Sequence, residues 1–298
     1  METEIWFAID HRTSECGYVA AASLLQNRPE GSHTNLRIAY VQGQSAPADW
    51  WRGKLSKKSK SFSFKQIPVE LGEFLGAKQI FDSMATYLRI AIPLYAGSDR
   101  IIYSDADVIF QDDVSKLESN FGNELAGMVQ DGFCSNRCER EKHVLCKHGK
   151  KLSDPYFNAG VCVMNSKKFL DNDIYKKAVN LIRNDSAYLA VYDQTVLNCV
   201  FSNPKIIENR WNFCAFPKAE KNICDVASKC IVHFVGSPKP WDLFGEIYHP
   251  YSQIWVDAAK KAGLLFPRIR KYFQLYSWQR AWRIRKQYSV WKSQQNKK

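Results

Sequence analysis

Short apolar runs and segments of helical period alternate along the first third of the chain. Ile5-Trp6-Phe7-Ala8-Ile9 reads as a buried strand, and Gly17–Leu25 as an Ala-rich helix. Leu36–Val41 is a second strand, and Ser61–Ile67 alternates with period two, as a half-buried strand should. Met84, Leu88, Ile92 and Tyr95 recur at helical spacing and predict a helix over Ser83–Tyr95. The apolar run ending at Tyr103 predicts the next strand. Beyond it, Phe157–Met164 reads as a strand, Asp173–Arg183 and Asp193–Phe201 as helices, and Ile231–Val235 as a short strand. Such alternation argues for an α/β fold with a mostly parallel central sheet and helices on both faces. Ligands of such sheets sit beyond the carboxyl ends of the strands, where Asp10 and Asp105 fall. No internal repeat or low-complexity tract interrupts the pattern.

Composition adds bounds. With 298 residues and 45% hydrophobic content, the chain can build one large α/β domain or two small ones, and global disorder is excluded. No apolar run reaches the roughly 18 residues of a transmembrane helix. No basic and then apolar leader opens the chain, so the expected fold starts at its first residues. Nine cysteines, odd in number and irregular in spacing, are expected to be mostly reduced and buried. Cys134, Cys138 and Cys146, with His143 and His148 nearby, form either a zinc site or a plain loop insertion. The absence of Cys-x2-Cys spacing favours the insertion.

Charge divides the chain. Of the net +12, almost all lies in residues 256–298, which hold twelve Lys or Arg against one acid, Asp257. The expected organisation is therefore a catalytic domain over 1–255 and a basic, aromatic segment over 256–298.

The sharpest chemical signal is Tyr103-Ser104-Asp105-Ala106-Asp107. Residues i and i+2 of an extended backbone share a side, so both carboxylates can converge on one point just past a strand end. Carboxylates held that close repel unless a cation lies between them. Mg2+ or Mn2+ suits such oxygen ligands and leaves positions open for phosphate oxygens. Taken alone, Asp-x-Asp also occurs at caps and turns.

Other segments fall in order around it. These are Phe7-Ala8-Ile9-Asp10, Ala85-Thr86-Tyr87-Leu88-Arg89, Tyr156-Phe157-Asn158-Ala159-Gly160-Val161 and Tyr192-Asp193-Gln194 with Leu197-Asn198. The last, His233-Phe234-Val235-Gly236-Ser237-Pro238-Lys239-Pro240-Trp241, is the most specific. Together they resemble glycosyltransferase family 8, over roughly residues 5–250. The family's members are retaining, UDP-sugar-dependent enzymes of GT-A fold, a single Rossmann-like nucleotide-binding domain. They include bacterial lipopolysaccharide galactosyl- and glucosyltransferases and glycogenin.

The resemblance implies that Asp105, Asp107 and His233 hold Mn2+ or Mg2+, and an imidazole among the ligands favours Mn2+. Outside this context His233 would read as a buried, hydrogen-bonded histidine. The implied donor-binding residues are Asp10, Arg89, Asp105, Ala106, Asp131, Asn158, Gly236 and Lys239. Gly236 lets the backbone approach a diphosphate, and Lys239 supplies a point charge. Outside the resemblance Arg89 would read as a solvated helix arginine, and Asp193 could equally cap the helix that follows it, a role compatible with sugar binding. The implied catalytic residues are Gln194 and Asp193. A glutamine is a poor nucleophile, which favours front-face displacement over a covalent intermediate on Asp193. One departure stands out: Arg12 and Thr13 occupy positions where the family carries Asn and an aromatic residue on the uracil. Tyr18 or another residue would then replace that stacking partner.

The tail mixes its cations with Phe266, Tyr272, Phe273, Tyr276, Trp278, Trp282, Tyr288 and Trp291. Leu275, Trp278 and Trp282 share a helical face, the composition of an interfacial helix on an anionic bilayer. Nucleic-acid binding and packing on its own domain are the weaker readings. The expected activity is transfer of galactose or glucose from UDP-galactose or UDP-glucose to a lipid-linked saccharide, at the cytoplasmic face of the membrane, with no nucleic-acid partner. Transfer to a protein or soluble glycan is the alternative within enzymes, and a non-catalytic nucleotide-sugar-binding protein the alternative outside them. Acceptor contacts are expected from the loops Phe133–Pro155 and Ala215–Ser228.

Overall fold

The computed structural model describes residues 2–59, 61–74, 77, 83–217, 226, 228–264 and 275–295; within the last stretch the side chains of 276 and 287–295 are left aside. Ten strands among the described residues form two sheets. The large one has the order β3-β2-β1-β4-β7-β6-β8, built from β1 (Glu2–Ala8), β2 (His33–Val41), β3 (Phe62–Val69), β4 (Arg100–Ser104), β6 (Ala126–Phe133), β7 (Pro155–Asn165) and β8 (Lys205–Ile207). The pairs β1–β2, β2–β3, β1–β4 and β6–β8 are parallel, while β7 runs antiparallel to both neighbours. The small sheet joins β5 (Val108–Phe110), β10 (Ile231–His233) and β9 (Phe213–Cys214), with β10 in the middle.

Strand alternation sorts the core onto the two faces of the large sheet. Ile5, Phe7, Ile102, Val161 and Val163 join one buried cluster, while Trp6, Ile101, Tyr103, Cys162 and Met164 join the other. Each such large side chain contributes roughly 1.5–3 kcal/mol by leaving water. The helix Ser14–Gln26 covers the first face. Gly17 brings it close: a Cβ there would lie 2.9 Å from the Trp51 ring and closer still to Ile9.

Two expectations are corrected. The continuous helix over Ser83–Tyr95 is instead a chain of single turns, a 3-10 turn at Ala85–Tyr87, an α turn at Leu88–Ala91 and a 3-10 turn at Ile92–Leu94. Pro93 lacks an amide hydrogen and crowds the preceding turn, which ends the α geometry. Tyr18 is no stacking partner for a base. It is fully buried, packs on Trp50 and Trp51, and donates its hydroxyl to the Ala262 carbonyl at 2.7 Å.

The Cys and His residues of the 134–148 insertion do not converge on a metal. Cys134 is buried, Cys138 and Cys146 are exposed, His148 faces Asp185 at 2.9 Å and His143 lies against Tyr188. All eight cysteines among the described residues are free thiols; Cys224 lies outside them.

Position 255 falls inside the helix Ser252–Lys261, and Trp255, Ala259 and Ala262 share the core with β1 and β4. A second helix, Leu275–Gln295, turns Ser277, Ala281 and Ile284 inward and leaves Leu275, Trp278 and Trp282 exposed. No helix among the described residues is long and apolar enough to cross a membrane.

Candidate active site

The Asp-x-Asp segment is the bridge between the two sheets. β4 ends at Ser104 in the large sheet, and β5 begins at Val108 in the small one. Between them the Asp105 amide donates to the Gly160 carbonyl at 2.7 Å, and Asp107 accepts at its carbonyl from the Phe234 amide at 2.9 Å. β10 ends at His233 on the neighbouring strand. Ligand atoms of Asp105, Asp107 and His233 lie within 4.8 Å of one another, the one such three-residue group of His, Cys, Asp and Glu among the described residues. His233 Nε2 lies 3.3 Å from Asp107 Oδ1 and 3.7 Å from Asp105 Oδ2.

A relay behind the imidazole fixes its orientation. His233 Nδ1 lies 2.9 Å from Asn212 Oδ1, and Asn212 Nδ2 donates to Asn158 Oδ1 at 2.8 Å. Asn158 Oδ1 also accepts from the Gly160 amide at 2.8 Å. With Nδ1–H spent on Asn212, Nε2 is the nitrogen presented to the carboxylates, the arrangement a metal-ligating histidine uses. Gly160 leaves the room: a Cβ there would lie 2.5 Å from His233 Nδ1.

Cations crowd Asp107. Lys239 Nζ donates to its Oδ2 at 2.6 Å and also to the Phe234 carbonyl. Burial alone would raise the Asp107 carboxyl, but Lys239 and then His233 outweigh it and hold it far below the usual carboxylate range. Burial would lower His233, yet the Asp107 carboxylate overrides it and lifts the imidazole to about 10.

Arg89, 8% exposed, ties the pair to the rest of the site. Its Nη2 donates to Asp105 Oδ1 at 2.7 Å and its Nη1 to the Ala159 carbonyl at 2.6 Å. Nε faces Asp193 Oδ2 at 2.6 Å, an ion pair without the alignment of a hydrogen bond. Asp105 Oδ1 accepts a second bond from the Tyr103 hydroxyl at 2.6 Å, and the guanidinium lies 4.7 Å from that ring's centroid. Asp193 also accepts from the Thr86 hydroxyl. Burial raises its carboxyl above the ordinary value, with Arg89 acting against that rise. Arg89 is thus no solvated helix arginine, and Asp193 lies in the first turn of its own helix, Tyr192–Val200.

Gln194 joins this network through Ala159, whose amide donates to Gln194 Oε1 at 3.1 Å. Asp131 lies within β6 beside Arg137, 3.6 Å away, and burial raises its carboxyl while Arg137 and then His233 oppose it. Asn158 faces inward, 6% exposed and engaged in the relay. Ala106 is 6% exposed between the two aspartates, and Gly236 adopts a φ of 79°, a left-handed conformation suited to glycine. Asp10 is occupied locally. Its Oδ1 accepts from the Arg12 and Thr13 amides at 3.0 and 2.9 Å, and Oδ2 accepts from Ser83 at 3.0 Å.

Sequence reasoning missed Thr86, which donates to Asp193; Asn212, which holds His233; Asp242, which accepts from the Lys239 amide; and Arg280, which holds Asp242 in turn. Thr86 lies inside the Ala85–Arg89 motif; the others carry no local signal.

Several comparisons bear on this geometry. The structure of galactosyltransferase LgtC with donor and acceptor sugar analogues matches with a TM-score of 0.68 at 23% identity, over 89% of this chain and 96% of LgtC. The glycosyltransferase GlyE of Streptococcus pneumoniae TIGR4 matches with a TM-score of 0.60 at 18% identity, over 87% of this chain and 61% of GlyE. The fold is that of the GT-A glycosyltransferases. Among relatives by sequence, the lipopolysaccharide 1,3-galactosyltransferase of Salmonella typhimurium is 28% identical over 190 residues, 58% of this chain and 53% of the relative. The lipopolysaccharide 1,2-glucosyltransferase of Escherichia coli K12 is 28% identical over 178 residues, 53% of this chain and 49% of the relative. The chain spans about half the length of these two relatives. Residues 5–244 match Glycosyl transferase family 8, and the chain belongs to that family.

Proposed function

We propose that this glycosyltransferase moves galactose or glucose from UDP-galactose or UDP-glucose to a saccharide, with retention and with a divalent metal. The observation that carries the reading is the convergence of Asp105, Asp107 and His233, with Lys239 on the same carboxylate. Two carboxylates and an imidazole held by Asn212 fit Mn2+ better than Mg2+. A divalent ion held there would neutralise charge developing on the UDP leaving group. Lys239 brings a further positive charge beside it, and the left-handed Gly236 opens its backbone toward the phosphates. In this reading Arg89, held between Asp105 and Asp193, orients the sugar end of the donor, and Asp131 accepts from sugar hydroxyls.

Gln194 lies on the same network as Arg89, through the amide and the carbonyl of Ala159. An amide oxygen there favours front-face displacement. The acceptor oxygen bonds to the anomeric carbon as the bond from that carbon to the diphosphate oxygen breaks. The acceptor's proton passes to the departing phosphate. The two-carboxylate scheme of glycoside hydrolysis does not apply.

The names of the relatives support a lipid-linked saccharide acceptor. The tail supports docking on an anionic membrane, because Leu275, Trp278 and Trp282 are exposed beside Arg283. Flotation with anionic vesicles checks this: Trp278→Ser with Trp282→Ser should release the protein, and unchanged flotation would remove the docking reading.

The activity is tested by UDP release from a panel of UDP-sugars, with Mn2+ and with EDTA, beside Asp105→Asn. Slow hydrolysis of one sugar, abolished by EDTA and by the substitution, is the expected result. A chain that binds no UDP would refute the donor-site reading.

A further inference from the structure

The loop that carries Lys239 is held from both sides. Below it, Gly245 packs so closely that a Cβ would lie 2.6 Å from the Lys239 carbonyl oxygen. Asp242 closes the turn: its amide donates to the Lys239 carbonyl at 3.0 Å, and its Oδ2 accepts from the Lys239 amide at 2.8 Å. From outside, Arg280 of the tail helix grips both oxygens of Asp242, Nε to Oδ1 at 3.0 Å and Nη2 to Oδ2 at 2.8 Å. The same Nη2 reaches Ser237 Oγ at 3.3 Å. Trp278 packs edge-on against Phe244, and Ala281 and Ile284 are buried alongside.

We propose that the tail helix is a working part of the donor site, with Arg280 acting through Asp242 as a positioning residue for the Ser237–Lys239 loop. The inference rests on the donor-site reading above. Its physical content is twofold. A forked arginine–carboxylate pair fixes Asp242 in the one orientation that holds the Lys239 amide. The guanidinium also cancels a carboxylate charge, 9% exposed, that would otherwise repel an incoming diphosphate from three residues away. Because the coupling is a free energy, it acts in both directions: binding of a nucleoside diphosphate steadies the tail helix, and a steadied helix tightens the diphosphate.

The test compares UDP and uridine binding to the full chain by calorimetry in Mn2+. Arg280→Ala should weaken UDP about tenfold while leaving uridine unchanged, and Arg280→Lys should recover part of the loss. In steady state the donor KM should rise with little change in kcat. In the unaltered chain, UDP with Mn2+ should slow amide exchange in residues 275–286. Arg285→Ala, on the exposed side of the same helix, should leave UDP affinity as it was. If Arg280→Ala fails to fold, Arg280→Gln keeps much of the length and weakens the same grip, with the same expected selectivity. Equal UDP affinity with and without the arginine, or equal losses for UDP and uridine, would overturn the inference while leaving the donor site standing. No UDP binding to the unaltered chain would overturn both.

Discussion

Asp107 and Asp193 occupy opposite ends of one charged network, and their surroundings treat the same side chain in opposite ways. Asp107 is ringed by Lys239 and His233, and its carboxyl is driven down. Asp193 is sealed against Thr86 and Arg89, and burial drives its carboxyl up. Arg89 does not belong to either end alone, since it contacts Asp105 as well as Asp193. One end keeps a negative charge on offer to cations; the other spends its charge locking a buried arginine. Residue type therefore does not assign a role here, and the neighbours do.

Substitutions can break that contrast. Asp107→Asn should lower sugar transfer by about a thousandfold and abolish measurable Mn2+ binding, and it should also lower the thermal midpoint, since Lys239 and His233 lose the carboxylate that pairs with them. Undiminished Mn2+ binding would mean that Asp107 is no metal ligand. Asp193→Asn should act on stability alone. It strips a partner from a buried guanidinium and should cost roughly 3 kcal/mol in urea unfolding, with Mn2+ affinity held within about twofold. Loss of Mn2+ affinity would place Asp193 with Asp107. The smallest expected effect sharpens the boundary between the ends. Asn212→Ala removes the acceptor for His233 Nδ1 and should weaken Mn2+ about tenfold, seen by calorimetry or by the bound ion's EPR signal. Equal Mn2+ affinity would show that the imidazole needs no guide.

How far the sequence reached follows the same division. Asp105, Asp107 and His233 were legible because each sits just past or at the end of an apolar strand, and period-two geometry aims such residues at one edge. The bond between Arg89 and Asp193 was not, since nothing within either segment says that residues 104 positions apart will meet. Asn212 lies beside Trp211 without a motif, and its role depends on β9 and β10 pairing. The helix expected over Ser83–Tyr95 failed because apolar spacings of three and four fit successive 3-10 and α turns as well as one α-helix. Tyr18 stood in for an aromatic residue that the family carries and this chain lacks, yet its hydroxyl partner lies 244 residues away.

Gly160 and His233 are far apart in the chain but share one space. Any larger residue at 160 forces the imidazole to shift, since its first carbon would stand 2.5 Å from Nδ1. The order in which the two positions can change is therefore constrained. A lineage can lose the histidine first and then fill the glycine's space, whereas the opposite order passes through a chain with a blocked site. Among descendants of this fold, a side chain at the first position would mark those in which the histidine had already been given up.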